Sequence, residues 1–264
     1  MAPIVVTIAG SDSGGGAGIQ ADIKTFSAFG VYGASVITAV TAQNTVGVQA
    51  IHPVPPDIIS AQIDSIFNDF HVRSVKVGML GEAPVVEAVV FGLNKHAAHA
   101  IVLDPVMIAT TGRRLLSENA LDALCRRLIP MALIVTPNLP EAAVLSHEPM
   151  AVDETAMHRQ AQAIRRLGAR AVLIKGGHGH GPESIDLLVH DGGVVRFARP
   201  RIETPDIHGT GCTLSSAIAA GLAKGKTLID AIEEGKAYVT AAIAASSSSC
   251  FGRGAKTIHH FHRQ

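Results

Sequence analysis

Tryptophan is absent from the 264 residues, and aromatic side chains make up only 4%. Without large rings the core must be built from Ala, Val, Ile and Leu. Hydrophobic residues at 47% supply enough of them for a buried parallel sheet covered by helices. Net charge is missing too: 22 Lys and Arg balance 22 Asp and Glu. No long-range field therefore draws in nucleic acid or an anionic membrane, and any anion must be bound by local geometry. Cysteine is scarce. Cys125, Cys212 and Cys250 are odd in number and far apart, which argues against a disulfide framework and fits a reducing, cytoplasmic compartment. The longest apolar run, near Val31 to Val40, is too short to span a bilayer. The opening MAPIVVTIAG has no basic segment and runs straight into a strand pattern, so no signal peptide is expected.

What is present is an alternation. Candidate strands Ile4–Ile8, Ala34–Thr41, Ser74–Gly78, Ala100–Leu103, Leu133–Thr136 and Ala171–Ile174 are separated by amphipathic stretches. These stretches are Ile19–Phe29, Pro56–Phe70, Pro84–His96, Glu118–Leu128 and Asp153–Leu167. Strands spaced by helices of this size predict βαβ units and a mainly parallel α/β sheet with helices on both faces. Asp186–His190 and Val194–Phe197, flanking Asp191-Gly192-Gly193, predict one late hairpin. Two Ala-rich helices, Thr213–Ala223 and Leu228–Ala245, follow. With no linker and no repeat, residues 1–264 are expected to form a single domain.

In open α/β sheets, ligands sit at the carboxyl ends of the strands. Those positions hold Gly10 through Gly18, Gln43-Asn44, Gly78-Met79, Asp104-Pro105-Val106-Met107, Asn138-Leu139-Pro140-Glu141 and Lys175-Gly176-Gly177-His178. The first loop is neither a Walker A motif nor a dinucleotide fingerprint. It reads either as a flexible turn or as a place where backbone approaches a small ligand closely. GLAKGKT at 221–227 imitates a P-loop but is one residue short and follows a helix, so it is rejected.

His208-Gly209-Thr210-Gly211-Cys212-Thr213 is the most informative segment. Alternate glycines at a helix start let successive N–H groups point the same way, an anion hole suited to a phosphoryl group in flight. Cys212 in that position is expected to have a lowered thiol pKa. Asn138 and Glu141 are spaced as a helix cap with its reciprocal acid, or as holders of a water-rich Mg²⁺. Asp104 is a second candidate ligand for that cation. Lys175 is either a solvated surface charge or a point charge for phosphates. The histidines at 259, 260 and 262 lack partners and are assigned no metal.

With these residues in place, the chain resembles the hydroxymethylpyrimidine/phosphomethylpyrimidine kinases of the ribokinase-like superfamily, nearly end to end. The resemblance is carried by IAGSDSGGGAGIQADIKTFSAFGVYG, SVITAVTAQNTVGVQ, KVGML, VLDPVM, TPNLPEA, VLIKGGH, HGTGCTLSSAIAAGLAKG and HHFH. It implies a homodimer that uses ATP and Mg²⁺ to phosphorylate 4-amino-5-hydroxymethyl-2-methylpyrimidine and then its monophosphate, in thiamin synthesis. It further implies that Gln43 binds the aminopyrimidine edge and that Gly10, Met79 and Val106 line its pocket. Cys212 would be the base and Gly209, Thr210 and Gly211 the anion hole. Asn138 and Glu141 would serve the Mg-nucleotide and Lys175 its phosphates. Ser13 stands where some relatives have Pro, and Asp206-Ile207 departs from the common sequence before His208. A pyridoxal or pyridoxine kinase of the same superfamily is the nearest rival; a non-catalytic binding protein on this scaffold is a more distant one.

Overall fold

Strand β1 (Ile4–Ala9) enters the core at once, with Val5, Val6 and Ile8 fully buried. The computed structural model describes residues 2–109, 112–177, 181–204, 207–246 and 251–262. His178, Asp206 and Cys250, noted above, lie outside them. After β1 come helix α1 (Gly18–Ala28) and β2 (Tyr32–Ile37), then an antiparallel pair, β3 (Ala39–Asn44) and β4 (Gly47–Pro53). Helix α2 (Pro56–Asp69), β5 (Val72–Val77), α3 (Ala83–Lys95), β6 (Ile101–Leu103), α4 (Glu118–Ala123) and β7 (Ile134–Val135) follow. Then come α5 (Leu139–Ser146), α6 (Glu154–Arg165), β8 (Ala171–Lys175), and the late hairpin β9 (Glu183–His190) and β10 (Gly193–Pro200). β11 (Ile207–His208), α7 (Thr210–Ala223), α8 (Leu228–Ala245) and β12 (Lys256–Thr257) complete the order.

The main sheet has eight strands in the order β10-β9-β8-β7-β6-β5-β1-β2. Every pairing from β8 through to β2 is parallel, and only β9 and β10 join antiparallel. Alternation along each strand sends side chains to two separate cores. Val6, Ile8, Val75, Val77, Leu103 and Val172 meet α2 to α6, whereas Val5, Val102, Ile134 and Leu173 meet α1, α7 and α8. Both faces are therefore covered, as the continuous apolar strands required. No helix among the described residues is long and apolar enough to cross a membrane.

Three boundaries differ from expectation. The run Ala34–Thr41 is two strands. At Thr38 the chain leaves the sheet: its amide bonds Ala9 O at 3.0 Å, its hydroxyl donates to Met79 O at 2.7 Å, and β3 then turns away to pair with β4. No Gly or Pro marks that break, because a tertiary hydrogen bond makes it. The stretch Glu118–Leu128 is α-helical only to Ala123. A wide π turn, Leu124–Leu128, and a tight one at Ile129–Met131 finish it, with Pro130 unable to continue the helical ladder. Helix α7 begins at Thr210, three residues earlier than its apolar pattern.

Candidate active site

The carboxyl ends of the parallel strands, together with the start of α7, enclose a cavity of about 1150 Å³. Gly10, Gln43, Met79 and Val106 line it, as do Asp104, Asn138, Glu141 and Lys175, and the turn Gly209, Thr210, Gly211 and Cys212. Loops from the first and last parts of the chain thus meet in one cleft, and Gln43 shares it with Cys212.

The turn sits at one end of α7. Gly209 has φ +88°, a conformation that only Gly adopts cheaply, and no side chain caps the helix. Its first N–H groups and the positive end of the helix dipole are left for an anion. A Cβ on Gly211 would lie 3.1 Å from Lys175 Nζ and 3.6 Å from Asp104 Oδ2, so the turn rests against a charged cluster.

In that cluster Lys175 donates to Asp104 Oδ1 at 2.7 Å, while the Thr136 and Ser215 hydroxyls reach the two Asp104 oxygens at 3.3 Å. Burial pushes the Asp104 carboxyl up, but Lys175 and Lys76 outweigh it and hold it below the usual carboxylate range. Burial lowers the Lys175 pKa, yet Asp104 and Glu141 raise it further, so it stays charged. Glu141 is different. Burial, added to by Asp104 and opposed by Lys175, pushes it up to about 7. The capping box forms as spaced: Asn138 N–H donates to Glu141 Oε2 at 2.8 Å and Glu141 N–H to Asn138 Oδ1 at 2.9 Å.

Gly10 packs so tightly that a Cβ there would collide with Met79 Cε, which puts bare backbone beside a thioether wall.

The sequence model of phosphomethylpyrimidine kinase matches residues 12–259. The chain belongs to the phosphomethylpyrimidine kinase family. A hydroxymethylpyrimidine/phosphomethylpyrimidine kinase of Rhizobium meliloti is 55% identical over all of this chain and 98% of its own length. A thiamine biosynthesis bifunctional protein of Geobacter sulfurreducens is 47% identical over 97% of this chain, which spans 52% of that longer protein. Among solved structures, an ADP complex of Bacillus subtilis pyridoxal kinase superposes with a TM-score of 0.90 at 34% identity, over 98% of both chains.

In this phosphomethylpyrimidine kinase the thiol expectation fails. Cys212 is pushed up to about 11, because burial and the nearby Asp22 and Asp104 charges outweigh the help of Lys76 and the Gly18 N–H. The helix start was not enough, since a thiolate there would sit in dense, partly anionic surroundings. Lys175 is not a solvated surface charge either, being 13% exposed and ion-paired.

Sequence reasoning also missed several polar groups in the kinase's cleft. Lys76, on β5, also lines the cavity and is fully buried, donating to Asp22 Oδ2 at 2.9 Å. Asp22 also accepts from Thr7 at 2.6 Å and Ser216 at 2.7 Å. Lysine inside the apolar strand VRSVKV was the available signal. A second buried pair, Lys236 to Asp186 at 2.7 Å, also lines the cleft. His260 is buried and approaches the Thr213 hydroxyl at 3.1 Å, so the closing HHFH is packed against α7.

Proposed function

We propose that this chain, as a single kinase domain over residues 1–264, phosphorylates 4-amino-5-hydroxymethyl-2-methylpyrimidine and then its monophosphate, using ATP, in thiamin biosynthesis. The observation that carries this reading is the convergence of Gln43, the Gly209–Cys212 turn and the Lys175–Asp104–Glu141 cluster on one cavity. The pyrimidine would lie against Gly10, Met79 and Val106, its aminopyrimidine edge on Gln43 and its hydroxymethyl group toward the turn.

Phosphoryl transfer proceeds through a loose transition state, so position and charge matter more than a strong base. The substrate hydroxyl would form the new P–O bond as the bond to ADP breaks, with the N–H groups of Gly209 to Gly211 taking up charge on the equatorial oxygens. Cys212 would receive the hydroxyl proton only in its thiolate form. Its resting thiol holds its own proton at neutral pH, so the hydroxyl proton would pass late to an oxygen of the transferring phosphoryl group, which leaves the anion turn the larger share of the work. Lys175 would bear on the transferring phosphate.

Asp104 and Glu141 both bear on Lys175, and their carboxylate oxygens are the donor type that suits a hard divalent cation. Such a Mg²⁺ would be completed by water and phosphates, Glu141 reaching it through water and Asn138 holding Glu141 in place. When bound, Mg²⁺ neutralises phosphate charge. A cytoplasmic homodimer is part of the same reading; sedimentation equilibrium tests the dimer.

The match to a pyridoxal kinase keeps that substrate as the second reading, since both are flat heterocycles bearing a hydroxymethyl group. Coupled ADP detection with hydroxymethylpyrimidine, its monophosphate and pyridoxal separates them. Turnover of both pyrimidines above pyridoxal is expected; turnover of pyridoxal alone overturns the proposal.

A further inference from the structure

Asp12, His208 and Gln43 form a polar chain along the substrate side of the cavity. Asp12 is 2% exposed. Its Oδ1 accepts the N–H of Gly14 at 2.9 Å, and its Oδ2 accepts those of Gly16 at 2.9 Å and Ala17 at 2.8 Å. His208 Nε2 lies 3.1 Å from the same Oδ2. Burial pushes the Asp12 carboxyl up, but the hydrogen bonds from His208, Ala17 and Gly14 prevail and hold it below its ordinary value. An ionised carboxylate facing Nε2 requires that nitrogen to carry a proton, whichever state Nδ1 is in.

The same Nε2 lies 3.0 Å from the end of the Gln43 side-chain amide. Two donors cannot face each other. The two ends of an amide are alike in shape, so their partners decide which is oxygen and which is nitrogen. With the proton on Nε2, the end turned to His208 must be the carbonyl oxygen. The other end, 3.4 Å from Thr41 Oγ1, is then the NH₂ group. Thr41 agrees independently: its hydroxyl proton goes to Ser11 O at 2.8 Å, so toward Gln43 it accepts. On one side the imidazole is packed against the glycine-rich loop. A Cβ on Gly16 would come within 2.8 Å of both His208 Cδ2 and Thr257 Cγ2, and β11 and β12 pair His208 with Thr257.

We propose that Asp12 and His208 are positioning residues that lock the Gln43 amide in one orientation, so that it selects a heterocycle edge with an amino donor beside a ring-nitrogen acceptor and rejects the keto edge in which donor and acceptor are exchanged. This rests on the proposed function, in which the hydroxymethyl group faces the turn and the ring cannot flip to compensate. A glutamine free to rotate would accept both edges. A locked one leaves an unmet donor or acceptor against the wrong ligand.

The test is kcat/KM for 4-amino-5-hydroxymethyl-2-methylpyrimidine and for its 4-oxo analogue, in the native enzyme and in His208→Phe, which keeps ring volume and removes the donor. The amino/oxo preference is expected to fall by about tenfold or more, the scale of one misdirected hydrogen bond. A ratio unchanged while both rates drop together is what a purely structural role gives, and overturns the lock. Should His208→Phe fail to fold, ¹⁵N-histidine spectra of the native enzyme decide: a protonated Nε2 on His208 supports the proposal and an unprotonated one ends it. A native enzyme turning over pyridoxal alone refutes the functional reading, while the histidine spectra still judge the lock.

Discussion

A side chain on Gly209 would collide with the carbonyl oxygen of Gly16, so the turn at the start of α7 is seated directly on the glycine-rich loop that follows β1. Two segments nearly two hundred residues apart are thereby one structural unit, with Asp12 and His208 bonded beneath the contact.

That contact sets the first expectation. Gly209→Ala forces a Cβ into backbone at a positive φ and should cost about 1–3 kcal/mol in stability, with a loss of turnover of about 10²–10³-fold. Cys212→Ala should lose less, because the resting thiol is already protonated at neutral pH. Steady-state kinetics on both variants rank them; a larger loss for Cys212→Ala would reverse the assignment of the work.

Lys175→Met removes the partner of a buried carboxylate and the cation nearest Gly211. Turnover should fall by about 10²-fold or more, the scale of one transition-state charge contact, with a rise in the KM for ATP. An unchanged KM and kcat in a variant that melts normally would remove Lys175 from the site.

The fully buried Lys76–Asp22 pair predicts an asymmetry. Lys76→Met alone strands the Asp22 charge and should destabilise by about 3–5 kcal/mol in urea titrations. Lys76→Met combined with Asp22→Leu should recover much of that loss, since an apolar replacement carries no stranded charge. Loss by the double variant equal to the sum of the singles would show the two are uncoupled.

His260 gives a pH dependence with a definite sign. Burial, with lesser effects from Lys24, His259 and His262, lowers it from 6.5 to about 4. The unfolded chain therefore takes up that proton first as pH falls. The stability from the neutral buried ring is full above about 6.5 and is lost as pH falls toward 4. His260→Phe should flatten this part of the stability–pH curve relative to the native protein, measured by chemical denaturation at several pH values. Parallel curves would show that His260 does not carry the dependence.

Much of the site was legible because Gly, Asn and Lys stand out at strand ends against apolar runs. Gly10, Asn138, Lys175 and the 209–212 turn were found that way, and each lines the cavity. What stayed hidden were residues whose role depends on a neighbour distant in sequence. Lys76 reads as a misplaced charge until Asp22 is seen opposite it, and His208 reads as a turn residue until Asp12 and Gln43 flank it. Thr38 ends a strand only because the Met79 carbonyl lies within reach.

By itself the amino-acid order determined the alternating parallel architecture, its late hairpin and the helix start that presents bare N–H groups, since periodicity and glycine placement act over a few residues. Only the tertiary structure decided protonation and pairing: that the Cys212 thiol keeps its proton, that Glu141 is pushed up to about 7, and that one nitrogen of His208 meets both Asp12 and Gln43. Burial and charge pairing depend on what folding brings within a few ångströms, and no local spacing encodes that distance.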